Sequence, residues 1–145
     1  MKRYINSALL YSVLAMVGGV FYREFTKFNG FSGKTTLSVV HTHYFVLGTF
    51  FFLILLLMEK NFLFTNHKTK WTLITYHTGL NITGVMFVIR GVAQVLSLPL
   101  SSGADAAISG MAGIGHILLG VSVVLLLLRI KNSISTQKTS DVEKR

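Results

Sequence analysis

The sequence predicts an all-α membrane protein, a four-transmembrane-helix up-down bundle with both termini cytoplasmic. Three observations carry that expectation. Residues 4–22, 35–58, 71–89 and 106–128 contain no Asp, Glu, Lys or Arg, and each run is near or above the ~20 residues a helix needs to cross hydrocarbon. The chain is 51% hydrophobic and 13% charged, with a mean hydropathy of +0.58, where a soluble domain carries roughly 25% charge. The cations are also unevenly shared between the connections.

Lipid satisfies no backbone polar group, so the four runs must be helices or strands of a closed barrel. They are too continuously apolar for the alternating pattern of barrel strands. The first helix is expected over about 4–22, and "MKRYINSALLYSVLAMVGGVFYRE" is read as a retained span, since no A-x-A cleavage pattern follows its apolar stretch. The polar loop "REFTKFNGFSGK" leads to a second helix over about 35–58. The basic loop "EKNFLFTNHKTK" leads to a third over about 71–98. The turn "LPLSSGAD" holds Pro99, the single proline, and a fourth helix covers about 106–128. Residues 1–130 form one transmembrane domain. The tail 131–145, "KNSISTQKTSDVEKR", is expected to be disordered. Short connections favour antiparallel neighbours.

Orientation follows from Lys and Arg. With the N-terminus inside, the inner segments hold Lys2, Arg3, Lys60, Lys68, Lys70, Arg129, Lys131, Lys138, Lys144 and Arg145, and the outer loops only Arg23, Lys27 and Lys34. The net charge of +9 and pI of about 10.1 therefore report topology and contact with anionic headgroups. A lipid bilayer is the expected partner and nucleic acid is not. The absence of cysteine excludes disulfides and thiolate metal sites.

Polar residues inside a span are costly and are functional candidates by default. Four histidines fall there: His41, His43, His77 and His116. His41 and His43 are two positions apart, so on one helix they point about 200° away from each other and cannot both grip one small ion. His41 shares a face with Tyr44, Phe45 and Gly48, and His43 shares one with Val39, Leu47 and Phe50. In "ISGMAGIGHILLG", Gly113 and Gly120 flank His116 at i−3 and i+4. Small residues let helices approach closely, or they make room for a flat cofactor held by the histidine. His43 lies about eight residues, and His116 about ten, from the outer ends of their helices, so they match in depth within a few ångströms. Two imidazoles at equal depth on facing helices are what axial ligation of heme iron requires. His41 is the alternative ligand.

Arg90 lies in the outer third of the third span with no acidic residue in any span to neutralise it. It either snorkels outward or meets an anion, and heme brings two propionates. Arg23 could assist. His77 and Asn81 share an inward face of the third helix and form a possible second polar site, or simply a helix–helix hydrogen-bonding pair. His67 is expected in the inner loop.

The segment "VVHTHYFVLGTFFFLI" resembles the helix of heme-copper oxygen reductase catalytic subunits that carries an H-x-H pair. That resemblance implies that His41 matches the ligand of the high-spin heme and His43 that of the low-spin heme. The copper-binding histidines have no counterpart here. Across most of its length, through "GVFYREFTKFNGFSG", "LSVVHTHYFVLG", "RGVAQVL" and "ISGMAGIGHILLG", the chain also resembles a small uncharacterised family of four-span bacterial membrane proteins. This implies a multi-pass protein of the bacterial plasma membrane.

The expected function is an integral membrane heme-binding protein. It would be b-type cytochrome-like, acting in electron transfer, heme sensing or as an accessory to a respiratory oxidase. It would hold heme b through His43 and His116, with Arg90, Gly113 and Gly120 completing the site. Two alternatives stand beside it: a cofactor-free structural subunit, and a copper or zinc site using His41 or His43 with His116 and Met111. Respiratory-chain proteins or a second copy are possible partners. No independent catalytic activity is expected: the spans lack a carboxylate for acid–base work, and no nucleophile elbow, P-loop or dinucleotide fingerprint occurs.

Overall fold

Four helices, each long and apolar enough to cross a membrane, form the framework of the computed structural model. They are α1 (Lys2–Phe28), α2 (Leu37–Phe62), α3 (His67–Val95) and α4 (Ser102–Glu143). The structure describes residues 1–143, with side chains described through residue 136, and contains no strand among them. The expected all-α, four-span fold is the observed one.

Most of the helices outrun the charge-free windows that located them. Those windows mark the part that tolerates hydrocarbon, whereas a helix continues until its backbone is interrupted. The end of α2 is one such interruption: Leu63 is left-handed, at φ 48°. Asn66 then caps α3, its side chain accepting from Thr69 N at 3.0 Å while Thr69 Oγ1 accepts from Asn66 N at 3.1 Å. This reciprocal capping box starts α3 at His67, which is therefore helical rather than part of a loop. At the other end α3 stops at Val95, short of the expected residue 98, because Ser97 turns left-handed at φ 51° just ahead of Pro99. α4 begins at Ser102 and runs through the segment expected to be a disordered tail, as far as Glu143. Residues 144 and 145 of that tail lie outside the described residues.

Consecutive helices run antiparallel. Between α1 and α2, Gly18 meets Val40 while Gly48 meets Tyr11. Between α2 and α3, Thr35 Oγ1 donates to Gly91 O at 3.0 Å near one end, and Tyr76 OH donates to Leu47 O at 2.6 Å further along. Between α3 and α4, Arg90 pairs with Asp105 at one end and Arg129 Nη1 reaches Thr69 Oγ1, 3.1 Å away, at the other. The end that holds Lys2, Lys60, Lys68 and Arg129 is called the basic end below.

Tyr4, Tyr11, Tyr76, Phe52 and Leu80 are fully buried between the helices, while Leu9, Met16, Val20, Ile54, Ile117 and Leu127 face outward. A lipid environment makes that outer face stable. A buried hydroxyl without a partner is costly there, and each of the three tyrosines has one. Tyr4 OH pairs with Thr65 Oγ1 at 2.7 Å, Tyr11 OH with His77 Nδ1 at 2.6 Å, and Tyr76 OH with the Leu47 carbonyl.

Two features of the frame position the site. The first is a π-helical stretch in α2, Tyr44–Phe50, that starts directly after the H-x-H pair. Its wider turns interrupt the ordinary i→i−4 ladder, and the Tyr76 hydroxyl supplies one of its carbonyls with a donor. The second is that α4 packs along α3 but meets α2 chiefly through Phe51–Phe62, toward the basic end. Toward the opposite end α2 and α4 diverge.

Candidate functional site

The two histidines of the H-x-H pair point to different neighbours. His41 turns toward α1. A Cβ built on Gly19 would sit 3.6 Å from the His41 Cβ, and the buried His41 Nδ1 has no hydrogen-bond partner. His43 turns the other way, into the divergence between α2 and α4, and its ring lies 4.8 Å from Phe87 and 6.2 Å from His116.

The His43 and His116 rings stand at 89° to each other. Both are held in the same way. His43 Nδ1 donates to Val39 O at 3.0 Å, and His116 Nδ1 donates to Ala112 O at 2.8 Å, in each case the carbonyl one turn back on its own helix. A proton fixed on Nδ1 leaves the lone pair on Nε2. Such a bond orients the ring and raises its basicity as a metal ligand. A metal shared by the two rings would be held through Nε2 of each; the 6.2 Å separation at 89° is also that of an edge-to-face ring contact.

The surroundings of His116 are open. A Cβ added to Gly113 or Gly120 would meet nothing within 4 Å, so neither glycine serves helix packing. Other glycines do that. A Cβ on Gly79 would come 2.8 Å from Gly115 O and 3.0 Å from Leu119 N, and one on Gly115 would collide with Thr83 Oγ1. The close α3–α4 crossing is thus made by Gly79 and Gly115, neither of which stands out in the sequence from its neighbours. Gly113 and Gly120 leave a gap on each side of an exposed imidazole. A shallow cleft on α2 is lined by Thr42, His43, Val46 and Leu47. Phe87 of α3 is in ring contact with both imidazoles, at 4.8 and 5.9 Å.

Arg90 corrects one expectation. It is not without an acid: its Nη2 donates to Asp105 Oδ1 at 2.7 Å, to Asp105 O at 3.1 Å and to Ser109 Oγ at 2.8 Å. Asp105 stands just outside the fourth charge-free window, yet it lies in the first turn of α4 because that helix starts three residues earlier. A carboxylate there also meets the positive end of the helix dipole. All three bonds use one guanidinium nitrogen. Gln94, one turn beyond Arg90, turns to α2, its Oε1 accepting from Thr36 N at 2.8 Å. Arg23, the expected helper, is paired with Glu24 at 3.8 Å on the exposed end of α1.

His77 and Asn81 belong to a separate network nearer the basic end. Besides the Tyr11 bond, His77 Nε2 lies 3.4 Å from Ser7 Oγ, Asn81 Nδ2 donates to Tyr11 OH at 3.1 Å, and the His77 ring stacks on Phe52 at 4.8 Å. This is the helix–helix hydrogen-bonding arrangement that the sequence offers as one of two readings. Met111, offered as a further metal ligand, is exposed, and among the described residues no group of three or more His, Asp or Glu side chains converges.

Comparison with curated proteins gives no match, and comparison with solved structures gives none. The family described as "Protein of unknown function (DUF2871)" matches residues 1–133 of the 145, taking in all four spans and every candidate residue above, and the chain belongs to that family.

Proposed function

We propose that this chain is an integral membrane heme-binding protein, b-type cytochrome-like, whose iron is held between His43 of α2 and His116 of α4. The observation that carries this reading is the pair itself. The two rings lie 6.2 Å apart at 89°, each with Nδ1 tied to the carbonyl one turn back. The open glycines beside His116 give the edges of a flat macrocycle room between the diverging helices. A bare copper or zinc ion would find only these two imidazoles. A porphyrin supplies four nitrogens of its own and needs two axial ligands from the protein. Arg90, whose Asp105 and Ser109 bonds use Nη2 alone, offers the other edge of its fork to a propionate.

When bound, the heme supplies one-electron chemistry, and the protein sets its potential through axial ligation and burial. Electron transfer, heme sensing and an accessory role beside a respiratory oxidase all draw on that property. The cation asymmetry supports an orientation with the basic end and both termini in the cytoplasm. The resemblance to four-span bacterial proteins supports placement in a bacterial plasma membrane.

One observation favours a second reading, a cofactor-free membrane subunit. Phe87 touches both imidazoles and must turn aside for a macrocycle to enter. Heme extracted by acid from the purified chain separates the two. We expect close to one heme per chain in the wild type and little in His43→Ala or His116→Ala. No heme in the wild type after purification from heme-replete cells favours the cofactor-free subunit.

A further inference from the structure

We propose that the groove between α3 and α4 at the basic end binds one anionic phospholipid. Its mouth carries Lys68 and Arg129, and no Asp or Glu lines it among the described residues. Arg129 is not a free-swinging cation. Its Nη1 donates to Asn66 Oδ1 at 3.3 Å and to Thr69 Oγ1 at 3.1 Å. These bonds hold the guanidinium over the start of α3, next to Lys68.

Below the mouth the groove is apolar, with Trp71, Val121 and Leu125 as its walls. Trp71 is 61% exposed, and an indole at this level suits the headgroup boundary. Ser122 lies deeper along the same wall, only 1% exposed. The features along the groove, two cations at the mouth and then an aromatic and apolar wall, follow the order of headgroup and acyl chain in a phospholipid. The phosphodiester meets Lys68 and Arg129, and an acyl chain lies on Trp71, Val121 and Leu125. Basic pockets between helices at a membrane surface take anionic headgroups on these same grounds. Free phosphate would use the mouth alone and leave the apolar wall without a role. The site is independent of the heme pair, which lies toward the opposite end of the bundle.

Trp71 is the single tryptophan of the chain, so its fluorescence reports the groove directly. The full-length protein is reconstituted in phosphatidylcholine vesicles that contain a rising fraction of brominated lipid, either phosphatidylglycerol or phosphatidylcholine. We expect half-maximal quenching at an about tenfold lower mole fraction of the brominated phosphatidylglycerol, given the two cations at the mouth. Lys68→Gln and Arg129→Gln should each reduce that preference several-fold. Lys60→Gln, a cation at the same end but outside the groove, should leave it unchanged. Equal quenching by the two lipids in the wild type overturns the proposal. So does a Lys60→Gln effect as large as that of Lys68→Gln, which would mean general surface attraction. Relief of the quenching by inorganic phosphate at constant ionic strength would assign the mouth to free phosphate and overturn it as well.

Discussion

A histidine whose Nδ1 proton is committed to its own helix presents a single nitrogen to its surroundings, and both His43 and His116 are built that way. His41 is not. Its Nδ1 is buried without a partner, against α1. The three therefore separate cleanly on substitution. His43→Ala and His116→Ala should each lose most of the bound heme, while His41→Ala should keep it, with bound heme per chain as the measurement. Loss in His41→Ala alone would move the site to the α1 side. His77→Ala should also keep heme, because it belongs to the Tyr11–Asn81 network. Its effect should be on stability in detergent, about 0.6 to 1.7 kcal/mol, the range of single polar contacts between transmembrane helices. Arg90 and Asp105 form a separable pair. Arg90→Lys keeps the charge facing Asp105 but loses the planar fork, and should lower heme occupancy partly. Asp105→Asn leaves the fork in place and should not lower it. Equal occupancy in the wild type, Arg90→Lys and Arg90→Leu would show that the guanidinium serves only Asp105.

Among the helices, glycine divides into two kinds that have the same letter in the sequence. Gly79 and Gly115 are closed against backbone, whereas Gly113 and Gly120 face open space. Gly79→Ala and Gly115→Ala should each destabilise the chain by about 1–3 kcal/mol, as overpacking does. Gly113→Leu and Gly120→Leu should fold with wild-type stability and lose heme, because the new side chains fill the gaps beside His116. Unfolding curves in detergent together with bound heme per chain check both halves. If the Gly113 and Gly120 variants keep their heme, the gaps do not hold a macrocycle. The same contrast shows what was legible. Period and rise place His43 and His116 at equal depth, because both sit on long helices that run in the same direction, each antiparallel to α3 between them. Which glycine of "GMAGIGHILLG" closes on α3 depends on how α4 is rotated about its axis, and the sequence does not state that rotation. The π-helical turns after His43 leave no mark in hydropathy. Asp105 escaped because a charge-free window ends where the charge begins, although the helix does not.

Across the whole molecule, α2 and α4 are in contact toward the basic end and separate toward the other. Four spans, their order and their antiparallel course were readable from charge-free windows and short loops alone. The divergence of α2 from α4 was not, since hydropathy and loop length do not fix how neighbouring helices tilt. The proposed orientation is checked by single cysteines at Ser32 and Ser135 of this cysteine-free chain. Impermeant reagent added to intact cells should label position 32 and not position 135, and labelling at 135 would reverse the topology.

The proposed pairing of His43 with His116 through one iron is tested most directly by the optical spectrum of the detergent-purified protein from heme-replete cells, recorded oxidised and reduced beside His116→Ala. With both axial positions filled by imidazole, the wild type should give the spectrum of a six-coordinate low-spin b-type heme. His116→Ala should lose that spectrum or convert it to a five-coordinate high-spin form. A colourless wild type, or a His116→Ala spectrum identical to a low-spin wild type, would contradict the assignment.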